Sequence, residues 1–307
     1  MRKTIMMLSA ATAIVAGVFA TVTSQARTFV PPPPTKTIRI SFLGDIMLDR
    51  GVAITLKKTP FETLLKEFRD DAKFDASDLV VANLEGPFSE KRIVTGKALS
   101  FRFDPALAPE LKWLGIDAVS LANNHGLDMG RTALTGTRTL LADNGTMYFG
   151  DPWEVNDFSS YVSSVEGKRV ALVGFNTTFY SITQKQMVEK VEAVRKDADI
   201  VIVMMHWGNE YKIKHTDAQA LLAHALIDAG ADAIIGSHPH VVEETDFYKG
   251  KPIVYSLGNF IFDQTWSKAT QLGIEATITI RDGGAMTLET RNFTSVKGKP
   301  TWDTPTK

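Results

Sequence analysis

The chain has 307 residues, 44% of them hydrophobic and 22% charged, with a formal net charge of -1. That is ordinary globular composition, enough for one or two domains, without the basic field that nucleic acid or anionic lipid would need. It has no cysteine, which excludes disulfides, thiolate metal sites, a cysteine nucleophile and a lipoprotein anchor.

Arg2 and Lys3 precede an apolar stretch from Ile5 to Ala20, and Ser24-Gln25-Ala26 places small residues where a signal peptidase reads them. Residues 1–26 are therefore expected to be a cleaved signal peptide, with the mature protein periplasmic or extracellular. A retained segment would instead anchor it to the membrane. No second hydrophobic stretch is long enough to span a bilayer. Residues 27–37 hold the Pro31–Pro34 run, a stiff spacer. The folded domain is expected over residues 38–293, followed by a loose polar tail, 294–307.

Within the domain, strands and helices alternate. Apolar runs predict strands at Ile38–Leu43, Leu79–Ala82, Ala118–Leu121, Ile200–Met205 and Ala233–Ile235. Helical spacing covers Pro60–Arg69, Pro105–Leu114, Arg131–Asp143, Gln184–Lys196 and Thr216–Ala229. The last helix carries a stripe of Ala218, Leu221, Leu222, Ala225, Leu226 and Ala229, and ends at Gly230. Val241–Tyr248, Pro252–Ser256, Ile274–Ile280 and Ala285–Phe293 read as further strands. Turn signals at Lys249-Gly250 and Asp282-Gly283-Gly284 make these antiparallel. A parallel sheet that gains antiparallel strands suggests two packed sheets with helices outside.

Each of the five early strands ends in a polar cluster. They are Gly44-Asp45, Asn83-Leu84-Glu85, Asn123-Asn124-His125, His206-Trp207-Gly208 and Gly236-Ser237-His238-Pro239-His240. Strand C-termini of an open α/β sheet line one edge, where ligands bind. Five strands would thus bring Asp, Glu, Asn and three His together, an inventory that suits a divalent metal. Taken singly, each residue also has a plain structural reading: Asp45 as a cap, Glu85 as a salt-bridged loop carboxylate, His206 as a core histidine, and His238 and His240 as exposed loop residues. On extended backbone, His238 and His240 would point the same way. Asp128, three residues beyond His125, is placed to orient that imidazole. His215 and His224 stay outside the site. There is no Gly-x-Ser-x-Gly elbow and no glycine-rich phosphate loop.

The ordered clusters, together with Gly44–Arg50, Ala122–Asp128, His206–Tyr211 and Ser256–Gln264, resemble the CapA, or poly-γ-glutamate capsule synthesis, proteins. That family is similar to calcineurin-like metallophosphoesterases. The resemblance implies a four-layer α/β/β/α sandwich with mixed sheets and a site of one or two divalent metals, whether Mn, Zn, Fe or Mg. Asp45, Glu85, Asn124, His206, His238 and His240 would be the ligands. His125 would handle a proton, as donor or oxyanion stabiliser, with Asn124 and Asp128 beside it. The sequence departs from the phosphoesterase pattern at Asp45-Ile46-Met47, where a histidine would stand in place of Met47, and Glu85 replaces a bridging Asp. Arg50 and Glu210 are assigned to substrate, Arg50 as a bidentate clamp for carboxylate or phosphate.

The implied role is the synthesis, release or remodelling of an anionic surface polymer by metal-assisted hydrolysis or transfer. Its partners would be an anionic polymer or peptide and membrane-bound capsule-synthesis proteins, not nucleic acid. Two other classes stay open. One is a non-catalytic polymer-binding or assembly subunit. The other is a metal-assisted proton-transfer enzyme of epimerase type.

Overall fold

A computed structural model describes residues 37–303 apart from residue 180. The expected signal peptide, the spacer up to residue 36 and residues 304–307 lie outside the described residues. The first half of the fold runs β1 (Thr37–Ile46), α1 (Arg50–Leu56), α2 (Phe61–Asp71), β2 (Leu79–Leu84), α3 (Ala108–Trp113), β3 (Ala118–Ser120), α4 (Gly130–Asp143), β4 (Met147–Phe149), β5 (Ser160–Val165) and β6 (Lys168–Asn176). The second half runs α5 (Gln184–Arg195), β7 (Ile200–His206), α6 (Asp217–Asp228), β8 (Ala233–Ser237), β9 (Thr245–Tyr248), β10 (Lys251–Val254), β11 (Asn259–Ile261), β12 (Leu272–Arg281), β13 (Met286–Val296) and β14 (Lys299–Trp302).

One sheet has the order β14-β13-β12-β1-β2-β3-β4, with β11 also pairing β1. Its β1 to β4 are parallel, and β12, β13 and β14 join them antiparallel. The other sheet has the order β5-β6-β7-β8-β10-β9, parallel in the middle and antiparallel at both edges. Side chains alternate across each strand, and the alternation builds the layers. Ile38, Ile40 and Phe42 of β1 meet Ile200, Ile202 and Met204 of β7 in a core between the sheets. The opposite face of the first sheet packs against α1 to α4, through Val52, Leu65, Leu111 and Leu134. The opposite face of β7, Val201, Val203 and Met205, packs against α5 and α6. The result is the four-layer α/β/β/α arrangement with mixed sheets.

Several elements differ from expectation. β4, β5, β6 and α1 carry no strong signal of their own in the sequence. In α6 the buried face is Ala223, Leu226 and Ile227 with Gln219, while Leu221 is 68% exposed. Val241–Tyr248 is a strand only from Thr245, because Val242 forms a lone bridge with Leu257 before the chain turns outward.

The expected loose tail is incorrect as far as residue 303. β13 continues through Val296, and β14 pairs with it. Trp302 stacks on Phe68 at 4.2 Å, donates from Nε1 to the Phe68 carbonyl at 2.9 Å, and receives the Arg291 guanidinium on its other contacts. A single buried indole thus ties the last strand to α2. Replacing Trp302 with alanine is expected to destabilise the fold by about 3–5 kcal/mol, the usual cost of truncating a large core aromatic. Urea unfolding of the purified protein reads this directly. An unchanged midpoint would mean the end of the chain is as loose as its polarity suggests.

Candidate metal centre

Asp45 is aimed by a bulge. The β1–β2 register shifts between Leu43 and Asp45, and bulges next to functional sites re-aim side chains. Only glycine fits at the shifted position: a Cβ on Gly44 would stand 1.9 Å from the Gly258 carbonyl oxygen. On the neighbouring strand, Glu85 follows the end of β2, and both carboxylates are fully buried. Asn83 lies between them. Its Nδ2 donates to Asp45 Oδ1 at 2.8 Å and lies 3.4 Å from Glu85 Oε2. Asn123 holds Asn83 in turn, donating to its Oδ1 at 3.1 Å.

The second sheet supplies the imidazoles. His206 ends β7, and its Nε2 lies 2.9 Å from Asn124 Oδ1. His238 and His240 follow β8. They are not on extended backbone as expected: φ is +97° at His238 and +57° at His240, in the left-handed region that non-glycine residues avoid. Such strain gathers at functional sites. The two rings stand with centroids 6.0 Å apart. The His238 backbone N–H points at Asp45 Oδ2 across the seam between sheets, at 3.4 Å. His240 Nδ1 faces Asp45 Oδ2 at 3.2 Å and Asn259 Oδ1 at 3.0 Å, leaving Nε2 turned to Glu85 Oε1 at 3.6 Å.

These residues form two candidate ligand sets. Ligand atoms of Asp45, Glu85 and His206 lie within 4.8 Å of one another, as do those of Glu210, His238 and His240. Glu210, assigned to substrate from the sequence, therefore sits among the ligand atoms. The turn after β7, pinned by the Tyr211 N–H on the Pro239 carbonyl at 2.8 Å, carries it there. Met47 does not substitute for the missing histidine. It is buried in the helix-side core and its sulfur accepts the Asp49 N–H.

The donor set fits a divalent cation on its own chemistry. Glu85 Oε1 and His238 Nδ1 are buried with no hydrogen-bond partner among the described residues. Burial pushes the Glu85 carboxyl well above its usual range; His240 opposes this and Asp45 adds to it. Burial likewise drives His206 well below the usual imidazole range and lowers His238 to about 3, which favours neutral rings; His206 is engaged by Ser237 and Asn124, while His238 keeps an unpartnered Nδ1. At His240 burial also pulls downward, but Glu85 and Asp45 outweigh it and push the ring up to about 9. The His240 ring thus stands against both buried acids. Asn259 and Asp45 fix the His240 ring from behind, the usual outer support of a ligating histidine.

His125 sits at the edge of this group. Its Nδ1 lies 2.6 Å from Asp128 Oδ2, its Nε2 4.0 Å from Glu85 Oε1, and its ring stacks on Phe101 at 3.9 Å. Burial lowers its pKa, and Asp128 opposes that only in part. Arg50 belongs to another pair: its Nη2 meets Asp263 Oδ1 at 3.1 Å. Lys97, Asn83, Asn123 and Asn259 have no role in the sequence reading. Lys97 reaches the loop to bond Asp128 and the Asn124 carbonyl oxygen. The asparagines stand in the quoted clusters, but Lys97 lies in a polar stretch with nothing to mark it.

Residues 39–264 match the family described as bacterial capsule synthesis protein PGA_cap. The chain belongs to this family. It is 32% identical over 245 residues to the PGA biosynthesis protein CapA of Bacillus subtilis (strain 168), covering 74% of this chain and 64% of that protein. It is 30% identical over 285 residues to the capsule biosynthesis protein CapA of Bacillus anthracis, covering 86% of this chain and 69% of that one. A putative 5'-nucleotidase from Staphylococcus aureus, solved in complex with alpha-ketoglutarate, superposes with a TM-score of 0.54 at 14% identity, over 85% of this chain and 55% of that one. At that identity the likeness is one of fold.

The His240 proton makes a pH prediction for this family member. A ring with a raised pKa is protonated below about 9, and a metal ion must displace that proton to bind. Apparent affinity for manganese should therefore rise about tenfold per pH unit from neutrality for the His240 proton alone, with the raised Glu85 carboxyl only steepening the rise, and level off above the His240 pKa. Calorimetric titration at fixed ionic strength measures it. A flat profile would show that His240 carries no proton to displace.

Proposed function

We propose that the chain acts in making or remodelling an anionic capsule polymer by metal-assisted hydrolysis or group transfer at a phosphoester or amide bond. The observation that carries this reading is the meeting of the two ligand triads, Asp45, Glu85, His206 and Glu210, His238, His240, where the strand ends of both sheets join. Family membership supports the polymer; the names of the Bacillus relatives speak of capsule and PGA biosynthesis. Export through the signal-like start would bring the protein to such a polymer. Among the described residues no helix is long and apolar enough to cross a membrane.

A bound divalent ion would supply positive charge to stabilise negative charge developing on a substrate oxygen. The chain's own groups do the rest. Asp128 accepts from His125 Nδ1, so the neutral ring carries its lone pair on Nε2, toward the centre. In that state His125 takes a proton first and becomes a donor only afterwards. Asp128 is itself fixed by the Phe101 N–H at 2.7 Å and by Lys97. The stacked Phe101 ring covers one face of the imidazole and keeps water from it. The nearby cations are already paired: Arg50 with Asp263, Arg92 with Asp49, Lys97 with Asp128. An anionic chain would therefore have to displace a carboxylate from one of these pairs or meet the metal.

Substitution separates catalysis from binding. His125→Ala is expected to keep its metal and lose ~10²–10⁴-fold in turnover, the usual contribution of a general acid–base group. Asp45→Ala should lose both metal and turnover. The measurement pairs metal analysis and a hydrolysis screen over phosphoesters and γ-glutamyl peptides with complementation in a source strain lacking the gene. The mature N-terminus in that strain is expected at Arg27. Full complementation by His125→Ala, with no turnover by the wild type, would make the protein a polymer-binding subunit instead.

A further inference from the structure

The clusters His206–Tyr211 and Ser256–Gln264 each end in a residue that the metal chemistry does not use. Tyr211 closes the first and Gln264 the second. The fold brings these two side chains together, and Gln264 Nε2 donates to the Tyr211 hydroxyl at 3.3 Å. Each also stands beside a candidate ligand. Tyr211 follows Glu210 in the chain, and Gln264 bonds Asn259, the partner of His240.

Followed from the imidazole, the bonds form one chain. Asn259 Nδ2 donates to Gln264 Oε1 at 3.0 Å and to the Thr270 carbonyl at 2.9 Å, which fixes the way that amide faces. Asn259 Oδ1 is therefore the acceptor at 3.0 Å from His240 Nδ1, and the imidazole donates. Gln264, with its Oε1 occupied, presents Nε2 to the Tyr211 oxygen. A phenol oxygen that accepts one bond still has its own proton to give. That proton goes to the Glu210 carboxylate, and the bond is one reason, after burial and the charge of Glu210, that the phenol is pushed up to about 12. Every donor faces the same way, from imidazole to carboxylate, and hydrogen bonds in series polarise one another.

The geometry answers a particular need. His238 and His240 are buried, whereas Glu210 is exposed. An exposed carboxylate loses rotamer freedom when it takes a cation, unless a neighbour has already set it. Tyr211 is itself held for that task. Its backbone is left-handed, with φ at +64°, and its N–H bonds the Pro239 carbonyl at 2.8 Å. Its ring stacks on His240 with centroids 6.2 Å apart and meets Trp266 edge-on at 5.7 Å. A non-glycine residue keeps such a backbone only where its surroundings over-determine it.

We propose that Tyr211 and Gln264 are positioning residues for a metal site formed by Glu210, His238 and His240, where one directional hydrogen-bond chain joins the ligands Glu210 and His240. The chain occupies His240 Nδ1, so Nε2 is the atom left for a cation. At its other end it holds the Glu210 carboxylate toward the same place. Two ligands from separate turns, one after β7 and one after β8, are thereby set together. The proposal rests on the metal-assisted reading of the centre.

The experiment is calorimetric titration of the full-length, metal-stripped protein with manganese. Glu210→Gln should weaken one binding event and so identify the one that uses this triad. Tyr211→Phe keeps the ring and its stacking and removes only the hydroxyl. It should weaken the same event about 10–100-fold, the usual cost of losing an outer partner of a ligand. Gln264→Met, of similar shape, should do likewise. The double variant should lose little more than the worse single variant, because one chain is broken in both. The metal-free unfolding midpoint of Tyr211→Phe should stay at the wild-type value. Wild-type manganese affinity in Tyr211→Phe overturns the proposal and leaves the metal reading standing, and so do losses that add in full. A metal-free midpoint that falls along with the affinity also overturns it, by making the hydroxyl a support of the fold. Manganese binding untouched by Glu210→Gln overturns the proposal alone, whereas no manganese bound by the wild type overturns the metal reading with it.

Discussion

Two carboxylates, Asp45 and Glu85, are fully buried side by side at the ends of adjacent parallel strands. Like charges in a dry site repel each other, and each loses its hydration. Every neighbouring group answers that constraint. The Asn83 amide sits between them, Asn123 fixes Asn83, and the His240 imidazole stands against both carboxylates. A structural role alone would be better served by apolar side chains of similar size, because a buried ion pair contributes little net stability. Keeping two acids there makes physical sense where a cation is to be held.

The same constraint shapes the backbone. Asp45 comes from the first sheet and His206, His238 and His240 from the second, so the centre exists only while the sheets are stacked in register. The close approaches are made by glycines. Gly44 lies against the Gly258 carbonyl, and Gly236 against the Tyr255 carbonyl, where an added Cβ would stand at 1.8 Å. Each immediately precedes site residues. The left-handed conformations of His238 and His240 are stored in the same turn, which the Tyr211 N–H and the Asn259 side chain hold. Strain there is held by packing of the whole sandwich and leaves the imidazoles no freedom to turn away.

Much of this was legible because parallel strands buried on both faces read as apolar runs and their polar ends stand out. Asp45, Glu85, Asn124, His125, His206, His238 and His240 all sit at such ends. What was not legible has particular causes. β6 is Lys168–Asn176, whose charged start and central Gly174 interrupt the apolar pattern, and its place in the sheet is set by pairing with β7. The burial of Trp302 depends on Phe68, more than two hundred residues away, so local polarity misleads. Arg50 looked free because Asp263, its partner, is equally remote in sequence. The α6 stripe held at Leu226, with Leu222 and Ala229 packed against the core, but it missed Gln219, polar in isolation and buried by a bond to Glu243, and it wrongly included Leu221, which faces outward. Long-range polar pairing is the common element: composition and periodicity report what a segment prefers, not which distant group will satisfy it.

The central claim is that residues from separate strands of two sheets share one metal centre. Anomalous diffraction from crystals grown with manganese tests it most directly. The expected result is a peak bounded by Asp45, Glu85 and His206 or by Glu210, His238 and His240, with His125 beside it and outside bonding distance. A peak at other residues, or none at saturating metal, would contradict the assignment and leave the buried carboxylates without an explanation.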